Sequence, residues 1–531
     1  MSDQARNDHD WKPRHNPWAI AMVVTLATFM EVLDTSVANV SLPHIAGNLS
    51  VTEDEATWVL TSYLVANAVV LPLSGWLATL FGRKRFYMLC VTLFTVSSFL
   101  CGFAPNLPLL IFFRVLQGVG GGGLQPSEQA ILADTFEPKK RGMAFAIYGM
   151  AVVLAPAIGP TLGGWITDNY SWRWIFYINV PVGFLSLILS ARLVEDPPWA
   201  RKKSGAASRI DYIGLSLIVI GISCLQYVLD KGEREDWFGS SLITGVALTS
   251  AACLVGAVVW ALRAKDPVIE VRMFKNRNFA VSTVMMFTLG VVLFGSTVLL
   301  PQYLQTLMGY TARQAGEVLS PGGLVVIALL PLVGRLMTKV DARWLVGFGF
   351  LETALALLYM ASHLHPGIDF ATATKLRMIQ SIGLPFLFIP ISTMSYVGVA
   401  PDKNNQVSAM TNFARNLGGG VGISLATTLI ARRAQLHRTR LVEHLSSFSP
   451  AFRRAGAGLS HALSPGLSSG MDAGPGPMQK ALGALAGGLT REAVALSYID
   501  VIRVLAWVCL GLLPLVLVLR KNKPGAATMA H

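Results

Sequence analysis

Residues Phe113–Gly120 read FRVLQGVG, and a second stretch at Leu376–Gly383 reads LRMIQSIG. Each stretch places an arginine three residues before a glutamine and ends on a glycine, and each lies within an apolar segment. A charged guanidinium in apolar surroundings requires polar partners, so the recurrence of the whole pattern argues for duplication rather than chance. The pattern indicates an internal repeat.

A second pair of segments tests this idea. SLPHI at Ser41–Ile45 precedes the first arginine segment, and LLPQY at Leu299–Tyr303 precedes the second. The proline of each segment lies 71 residues before its arginine in the first case and 76 in the second. Two pairs of similar segments at nearly equal separation predict duplicated halves. Membrane transporters use this arrangement, with a substrate site near the bilayer midplane between the halves.

The composition is that of a membrane protein. Of 531 residues, 53% are apolar and 14% charged, and the mean hydropathy is +0.52; soluble domains carry about 25% charged residues. A helix needs roughly 20 apolar residues to cross a bilayer. Fourteen segments meet this requirement, near residues 18–41, 57–80, 86–104, 108–133, 143–167, 174–194, 210–229, 241–263, 278–304, 315–338, 344–361, 375–399, 406–431 and 498–520.

The positive charges set the predicted orientation. The net charge is +13, and many of the basic residues cluster in loops on one side, as at Arg83–Arg85, Lys139–Arg141 and Arg201–Lys203. This asymmetry predicts that both termini are cytoplasmic, and it accounts for the charge without a nucleic-acid partner. The cysteines occur singly in apolar runs, which predicts free thiols and no metal site: Cys90, Cys101, Cys224, Cys253 and Cys509.

We therefore predict an all-α integral membrane protein built from two six-helix bundles with two further helices between them. The predicted divisions are a cytoplasmic tail at 1–17, a first bundle at 18–194, a linker with the two extra helices at 195–277, a second bundle at 278–520 and a tail at 521–531.

The second bundle contains a long extracytoplasmic loop at 432–497. Its beginning, near Arg432 to Leu445, could extend the preceding helix, whereas the stretch SPGLSSGMDAGPGP favours turns. A tethered element and a linker without regular structure both remain open for this loop.

The first span contains FMEVLDTSVANVSLP, in which Glu31 and Asp34 are three residues apart and share one helical face. A carboxylate within a membrane is costly unless it faces water or a partner, and it commonly marks an ion or substrate path. We predict that Asp34 carries a proton or contacts a cationic substrate, the alternative being a structural hydrogen-bonded residue. For Glu31 the two roles stay equally open. The matching position in the ninth span is Val292, which places the coupling chemistry in the first bundle.

Arg114 in the fourth span needs an acidic or polar partner, and Asp34 and Glu128 are the candidates. An arginine that changes partners when an acid is protonated could couple proton binding to substrate release; a static brace between helices is the alternative. Gln117 and Gly118 follow on the next turn. The glycines after them lack the lysine and hydroxyl residue of a phosphate loop, so we predict no nucleotide or other cofactor.

Two glycine motifs complete the candidate set. GWLATLFGRKR contains Gly75, Gly82, Arg83 and Lys84 at a turn between the second and third spans. It predicts either a gate between helices or simple anchoring of the topology.

The fifth span contains APAIGPTLGG, with Pro156, Gly159, Pro160, Gly163 and Gly164. Prolines bend helices and glycines permit close packing. The motif predicts a bend that seals one side of the protein, with ordinary helix packing as the alternative.

Together these motifs resemble the major facilitator superfamily, and within it the fourteen-span drug:proton antiporters of the EmrB type. LDTSVANVSLP is similar to the first-span signature, GWLATLFGRKR to the loop motif, RVLQGVGG to the fourth-span motif and GPTLGG to the fifth-span antiporter motif. Thr79 and Leu80 replace an acid and a base of the loop motif, so an aspartate-centred latch at that place cannot be carried over. Ala146 and Ala155 replace two glycines of the antiporter motif.

The resemblance implies a multi-pass protein of the inner membrane, surrounded by lipid, that exports hydrophobic or amphipathic compounds in exchange for protons. It also implies a periplasmic adaptor of the EmrA type and an outer-membrane channel as partners. A nutrient importer or facilitator is the nearest rival. A membrane-embedded enzyme and a non-transporting sensor are rivals of another class, and no catalytic motif supports the enzyme.

Overall fold

The computed structural model describes Trp11 and residues 13–200, 211–265, 267–443, 450–462 and 477–520. Within these ranges the chain is helical and contains no strand. The tail residues 1–10 and 521–531, the basic cluster Arg201–Lys203 and residues 464–476 of the SPGLSSGMDAGPGP stretch lie outside the described residues.

The described residues of the first half form ten α-helices: α1 (Pro17–Val40), α2 (Leu42–Leu49), α3 (Glu53–Ala56), α4 (Trp58–Phe81), α5 (Arg83–Phe103), α6 (Leu107–Gly121), α7 (Leu124–Thr135), α8 (Pro138–Asn169), α9 (Trp174–Tyr177) and α10 (Asn179–Leu193). Two helices follow, α11 (Tyr212–Lys231) and α12 (Ser241–Arg263). The last part forms α13 (Arg277–Met308), α14 (Ala312–Leu336), α15 (Ala342–His363), α16 (Phe370–Ser381), α17 (Gly383–Met394), α18 (Asn404–Glu443), α19 (Pro450–Ala462), α20 (Pro477–Gly511) and α21 (Leu513–Val518).

Thirteen helical segments within the described residues are long and apolar enough to cross a membrane, and each coincides with a predicted span. The remaining predicted span, 406–431, lies inside α18. That helix is long enough to cross, but polar side chains such as Asn405, Asn412 and Arg415 make it less apolar than the others. The all-helical membrane fold is confirmed, while the count of fourteen spans and the cytoplasmic termini stay predictions.

Short polar residues fix where corresponding helices of the two halves begin. The side chain of Asn106 accepts a hydrogen bond from Leu109 N at 3.0 Å before α6, and Asp369 accepts one from Thr372 N at 3.0 Å before α16. Such capping satisfies backbone N–H groups that a helix leaves free at its start. The arginine motifs therefore begin at matching depth in both halves.

The halves pack together along two seams, α8 against α14 and α4 against α18. One hydrophobic core joins them near the α4–α5 turn, where Phe145 and Tyr148 of α8 meet Leu330 of α14 and Ile389 of α17. At the opposite end, the first half has a core of its own, which includes Val37, and the second half likewise packs on itself. The two halves are therefore held together at one end of the helices and are separately packed at the other.

Helices α11 and α12 pack beside the α4–α18 seam. α11 contacts both α4 and α18, and a small core that includes Leu73 and Ile218 lies between α4 and the pair. Thr61 on α4 donates a hydrogen bond to Asp230 on α11 at 2.9 Å, and Trp237, after α11, donates one to Thr428 on α18 at 3.1 Å. The inserted pair thus binds both halves at the same seam and leaves the α8–α14 seam uncovered.

The predicted loop 432–497 is largely helical in its described parts. α18 has 40 residues and α20 has 35, or about 60 and 52 Å at 1.5 Å per residue, against a hydrocarbon layer of about 30 Å. His437 Nε2 lies 2.8 Å from Asp500 Oδ2, which ties the two helices together, and α19 packs on α20. The preceding helix continues past Arg432 as far as Glu443, which is the first of the possibilities that the sequence leaves open for this stretch.

Candidate functional site

Asp34 lies at the centre of a buried polar cluster in the first half. Its Oδ2 accepts a hydrogen bond from Arg114 Nη1 at 2.6 Å, and its Oδ1 accepts from Gln117 Nε2 at 3.0 Å and from Asn179 Nδ2 at 2.7 Å. Asp34 is 1% exposed and Arg114 0%. Three donors from two other helices therefore hold the carboxylate, and one of them carries a permanent positive charge.

Several groups hold the Arg114 guanidinium in place. Its Nε donates to the backbone oxygen of Val59 at 3.0 Å and its Nη1 to Gln117 Oε1 at 2.7 Å. The rings of Tyr63 and Phe176 lie 4.4 and 5.6 Å from its central carbon. Nη2 is buried and has no hydrogen-bond partner. The arginine therefore retains one nitrogen, with two N–H groups, free inside the cluster.

Glu31 faces a different set of side chains from Asp34, one turn away. Its Oε2 accepts a hydrogen bond from Gln125 Nε2 at 2.6 Å, and its Oε1 accepts from Tyr63 at 3.1 Å and from Asn67 at 3.2 Å. All three donors are neutral. Because no arginine or lysine pairs directly with Glu31, its surroundings can hold either the charged or the protonated carboxyl group.

Glu128 is separate from Arg114. The hydroxyl of Thr28 on α1 donates to its Oε2, and its Oε1 is buried without a hydrogen-bond partner. Of the two acids predicted as partners of Arg114, the structure brings only Asp34 to it.

The loop motif forms a second charged cluster, near the end where the halves meet. Arg83 is 2% exposed; its Nη1 pairs with Asp134 at the end of α7 and donates to the backbone oxygen of Ala130 at 3.2 Å. Asn404, at the start of α18 in the other half, donates to Asp134 Oδ1 at 2.6 Å. Thr79 replaces the acid of the family motif, but Asp134 supplies a carboxylate that links the two halves at this place.

Other residues of the loop motif have mainly structural contacts. Gly75 leaves no room for a side chain, because a β-carbon there would lie 2.9 Å from the backbone of Gln406 on α18. Gly82 has φ = 86°, a conformation that favours glycine. Lys84 donates from its backbone to Asp196 at 2.8 Å and from its side chain to Ala191 O at 2.7 Å.

The fifth-span motif lies in α8, opposite α1. A β-carbon at Gly159 would collide with Ser36, and one at Gly163 would lie 2.9 Å from Val37, whereas Gly164 has open space around it. Pro156 and Pro160 lie in the same helix. Gly118 likewise allows α6 to approach α4, where a β-carbon would lie 2.5 Å from the backbone oxygen of Tyr63.

The repeated motif in the second half keeps the arginine but has no acid beside it. Arg377 is buried, and its Nη1 donates to Gln380 at 2.8 Å, as Arg114 does to Gln117. No carboxylate of the described residues lies within ion-pair distance of Arg377, and its Nε has no partner. Val292, the predicted counterpart of Asp34, is buried in an apolar core.

Several residues of these clusters were not predicted from the sequence, among them Asn67, Gln125, Asn179, Asp134 and Arg415. Arg415 lies in α18 and is 4% exposed, and its Nη2 donates to Gln125 Oε1 across the interface between the halves. A signal for Arg415 existed, because it is a charge inside the predicted span 406–431. Asn179 lies in the FYINVPVG stretch, where nothing in the sequence indicates that it contacts Asp34.

Comparison with known proteins gives a consistent family. The profile described as Major Facilitator Superfamily matches residues 24–423. The chain is 40% identical over 431 residues to the multidrug export protein EmrB of Haemophilus influenzae, covering 81% of this chain and 84% of that one. It is 38% identical to EmrB of Escherichia coli strain K12, covering 83% and 85%, and 38% identical to the fatty acid resistance protein FarB of Neisseria gonorrhoeae, covering 86% and 88%.

Solved structures with the same fold are more distant in sequence. The human organic anion transporter MFSD10 aligns with a TM-score of 0.57 at 13% identity, covering 93% of this chain and all of that one. The proton:xylose symporter XylE aligns with a TM-score of 0.56 at 16% identity, covering 79% and 90%. At these identities the likeness concerns the fold alone.

Proposed function

Because the chain belongs to the major facilitator superfamily, we propose that this multi-pass membrane protein exports hydrophobic or amphipathic compounds in exchange for protons. Relatives named for multidrug export and for fatty acid resistance, at 38–40% identity over most of the chain, support amphipathic substrates. The proposal takes the inner membrane as the location, with both termini cytoplasmic and bundles at 18–194 and 278–520 on either side of the insert at 195–277.

The observation that carries the proposal is the buried pair of Asp34 and Arg114. An ionised Asp34 is stabilised here by Arg114, Gln117 and Asn179. A proton on Asp34 removes the charge that Arg114 pairs with, so the arginine must find another acceptor or move. Proton binding thereby changes the packing among α1, α6 and α10, which is what an antiporter requires of its coupling acid.

The packing of the two halves supports alternating access. They share a core near the α4–α5 turn and have separate cores at the other end. With cytoplasmic termini, the shared core lies on the cytoplasmic side and the structure corresponds to a form that opens outward. In that form cargo leaves and Asp34 receives a proton from outside; the protonated protein then returns to the form that opens inward.

The projecting helices support an assembly with an adaptor and an outer-membrane channel. With the proposed orientation, the ends of α18 and α20 extend beyond the membrane on the outer side. They carry exposed apolar side chains, among them Leu436 and Val442 on α18 and Met478 and Leu482 on α20. We assign this surface to a periplasmic adaptor of the EmrA type, which would bury these side chains.

Transport in sealed proteoliposomes tests the proposal. We expect the unmodified protein to move a fluorescent cationic dye against its gradient when a pH difference is imposed, and the Asp34→Asn variant to lose this coupled movement. Glu352→Gln is the matched control, since Glu352 is also a carboxylate of a spanning helix but belongs to neither cluster; it should keep coupled transport. Transport by Asp34→Asn at the unmodified rate would show that another residue couples the proton.

A further inference from the structure

Arg415 is a buried cation without an acid beside it. It lies on α18 and reaches the first half, and its guanidinium lies 5.7 Å from the ring centre of Phe388. No carboxylate of the described residues lies within 4.0 Å of it. A charge this deep in a membrane protein is costly unless polar or charged groups compensate for it, so its neighbours decide whether the interface is stable.

Those neighbours lead across the interface to Glu31. Arg415 donates to Gln125 Oε1 on α7, and Gln125 Nε2 donates to Glu31 Oε2 at 2.6 Å. Tyr148 on α8 also donates to Gln125 Oε1, at 3.1 Å. A single amide therefore stands between the cation of one half and the acid of the other.

The orientation of the Gln125 amide depends on the charge of Glu31. An ionised carboxylate only accepts hydrogen bonds, so the NH₂ group of Gln125 turns toward it and the amide oxygen is left to face Arg415. Once Oε2 of Glu31 carries a proton, that oxygen becomes a donor and needs an acceptor. A rotation of the amide supplies the oxygen, but it turns the NH₂ group toward Arg415, where two donors oppose each other.

We propose that Arg415 is a positioning residue which holds the two halves together while Glu31 is ionised and releases them when Glu31 is protonated. The proposal rests on the proton-driven export proposed above and adds a second proton-sensitive contact to it. In the outward-opening form, the contact would keep an empty, unprotonated transporter from returning. Return without a proton would otherwise uncouple export from the proton gradient.

Other ionisable groups face Glu31 from each helix packed around it. Tyr63 on α4 donates to its Oε1, Tyr148 on α8 reaches it through Gln125, and Glu128 on α7 binds Thr28, one turn earlier on α1. Asp34 lies one turn later and is paired with Arg114. Among these groups, Arg415 is the cation that comes from the second half. Its hydrogen bond to Gln125 therefore forms when the two halves are in contact at this place.

The test measures how readily the interface opens near the α4–α5 turn. Asn405 on α18 is buried against Gly75 of the first half, so a thiol introduced by Asn405→Cys reacts only when the halves part there. The native cysteines are replaced, and labelling by a methanethiosulfonate reagent is divided by labelling of the denatured protein at the same pH. The protein is studied in proteoliposomes.

We expect slow labelling at high pH and faster labelling at low pH in the background protein. Arg415→Gln and Glu31→Gln should each be labelled fast at both pH values. At high pH their labelling rate should exceed that of the background protein by about tenfold to a hundredfold, as expected for loss of a hydrogen bond to a charged group. Arg377→Gln is the matched control, because its identified contacts, Gln380 and α14, lie within its own half; it should keep the pH response.

The outcomes separate this inference from the proposed function. A normal pH response in Arg415→Gln, or an equal loss in Arg377→Gln, would overturn the role of Arg415 even if proton-driven export is intact. If one of the two interface variants fails to fold, the other still decides the matter. Failure of the unmodified protein to export under a pH gradient would instead overturn the proposed function.

Discussion

The pairing of Asp34 with Arg114 makes a quantitative prediction for a double-mutant cycle. Arg114→Gln leaves the Asp34 carboxylate in a buried site with only Gln117 and Asn179 as donors. Asp34→Asn leaves a buried guanidinium whose remaining acceptors are the backbone oxygen of Val59 and Gln117. In the double variant no charge remains, and two amides can bond to each other and to the same neighbours.

The expected magnitudes follow from burial. Because Asp34 and Arg114 are 1% and 0% exposed, water cannot replace a missing partner, and removing one member of such a pair costs about 3–5 kcal/mol of unfolding free energy. Replacing both removes the buried charges together. We therefore expect the double variant to be more stable than the sum of the two single effects predicts, by about 3 kcal/mol.

The cycle is measured by denaturant unfolding in mild detergent, followed by tryptophan fluorescence. The exposed pair Arg313–Glu317 on α14 provides the comparison, with side chains 83% and 48% exposed; its cycle should yield about 0.5 kcal/mol or less. Dye transport should be lost in all three Asp34 and Arg114 variants, since stability and coupling are separate requirements. A coupling energy below about 1 kcal/mol would refute the reasoning that the pair is buried and mutually compensated.

Three further predictions concern other parts of the molecule. Gly163→Val should reduce transport at least about tenfold, because the added side chain meets Val37 of α1, while Gly316→Ala, in open space on α14, should retain it; dye flux checks both. Asp134→Asn removes the acid between Arg83 and α18, so thiol labelling near the α4–α5 turn should become faster. Leu436→Asp should abolish co-purification with a co-expressed EmrA-like adaptor but leave transport in vesicles unchanged, and retained binding would move the adaptor surface elsewhere.

The parts of the structure that depend on local sequence were predictable. Spans follow from apolar length, and the need of Arg114 for an acidic or polar partner follows from the cost of isolated charges in a membrane. Glu128 satisfied the same rule and was an equal candidate for Arg114, yet it lies with Thr28 instead. The sequence shows that an intramembrane charge needs a partner, but the relative rotation of the helices chooses which one.

Contacts between distant segments were beyond the sequence. Arg415 and Gln125 are 290 residues apart, and their meeting depends on how α18 packs against α7. The predicted loop at 432–497 differs for another reason. Hydropathy marks the apolar part of a helix, whereas α18 and α20 continue as helices through polar sequence beyond their apolar parts. A boundary drawn from apolarity therefore ends the helix too early.

The two halves share an arginine motif, but they differ in whether an acid pairs with the arginine. In the first half Arg114 pairs with Asp34; among the described residues of the second half no acid pairs with Arg377, and Val292 occupies the predicted acidic position. In the proposed antiport, a proton from outside would change the charge beside Arg114, whereas Arg377 keeps its own charge. The second half can still respond, because Arg415 reaches into the first half beside Glu31. An acid that titrates in the first half, facing the fixed charge of Arg415 from the second, is sufficient to make the attraction between the halves depend on the proton.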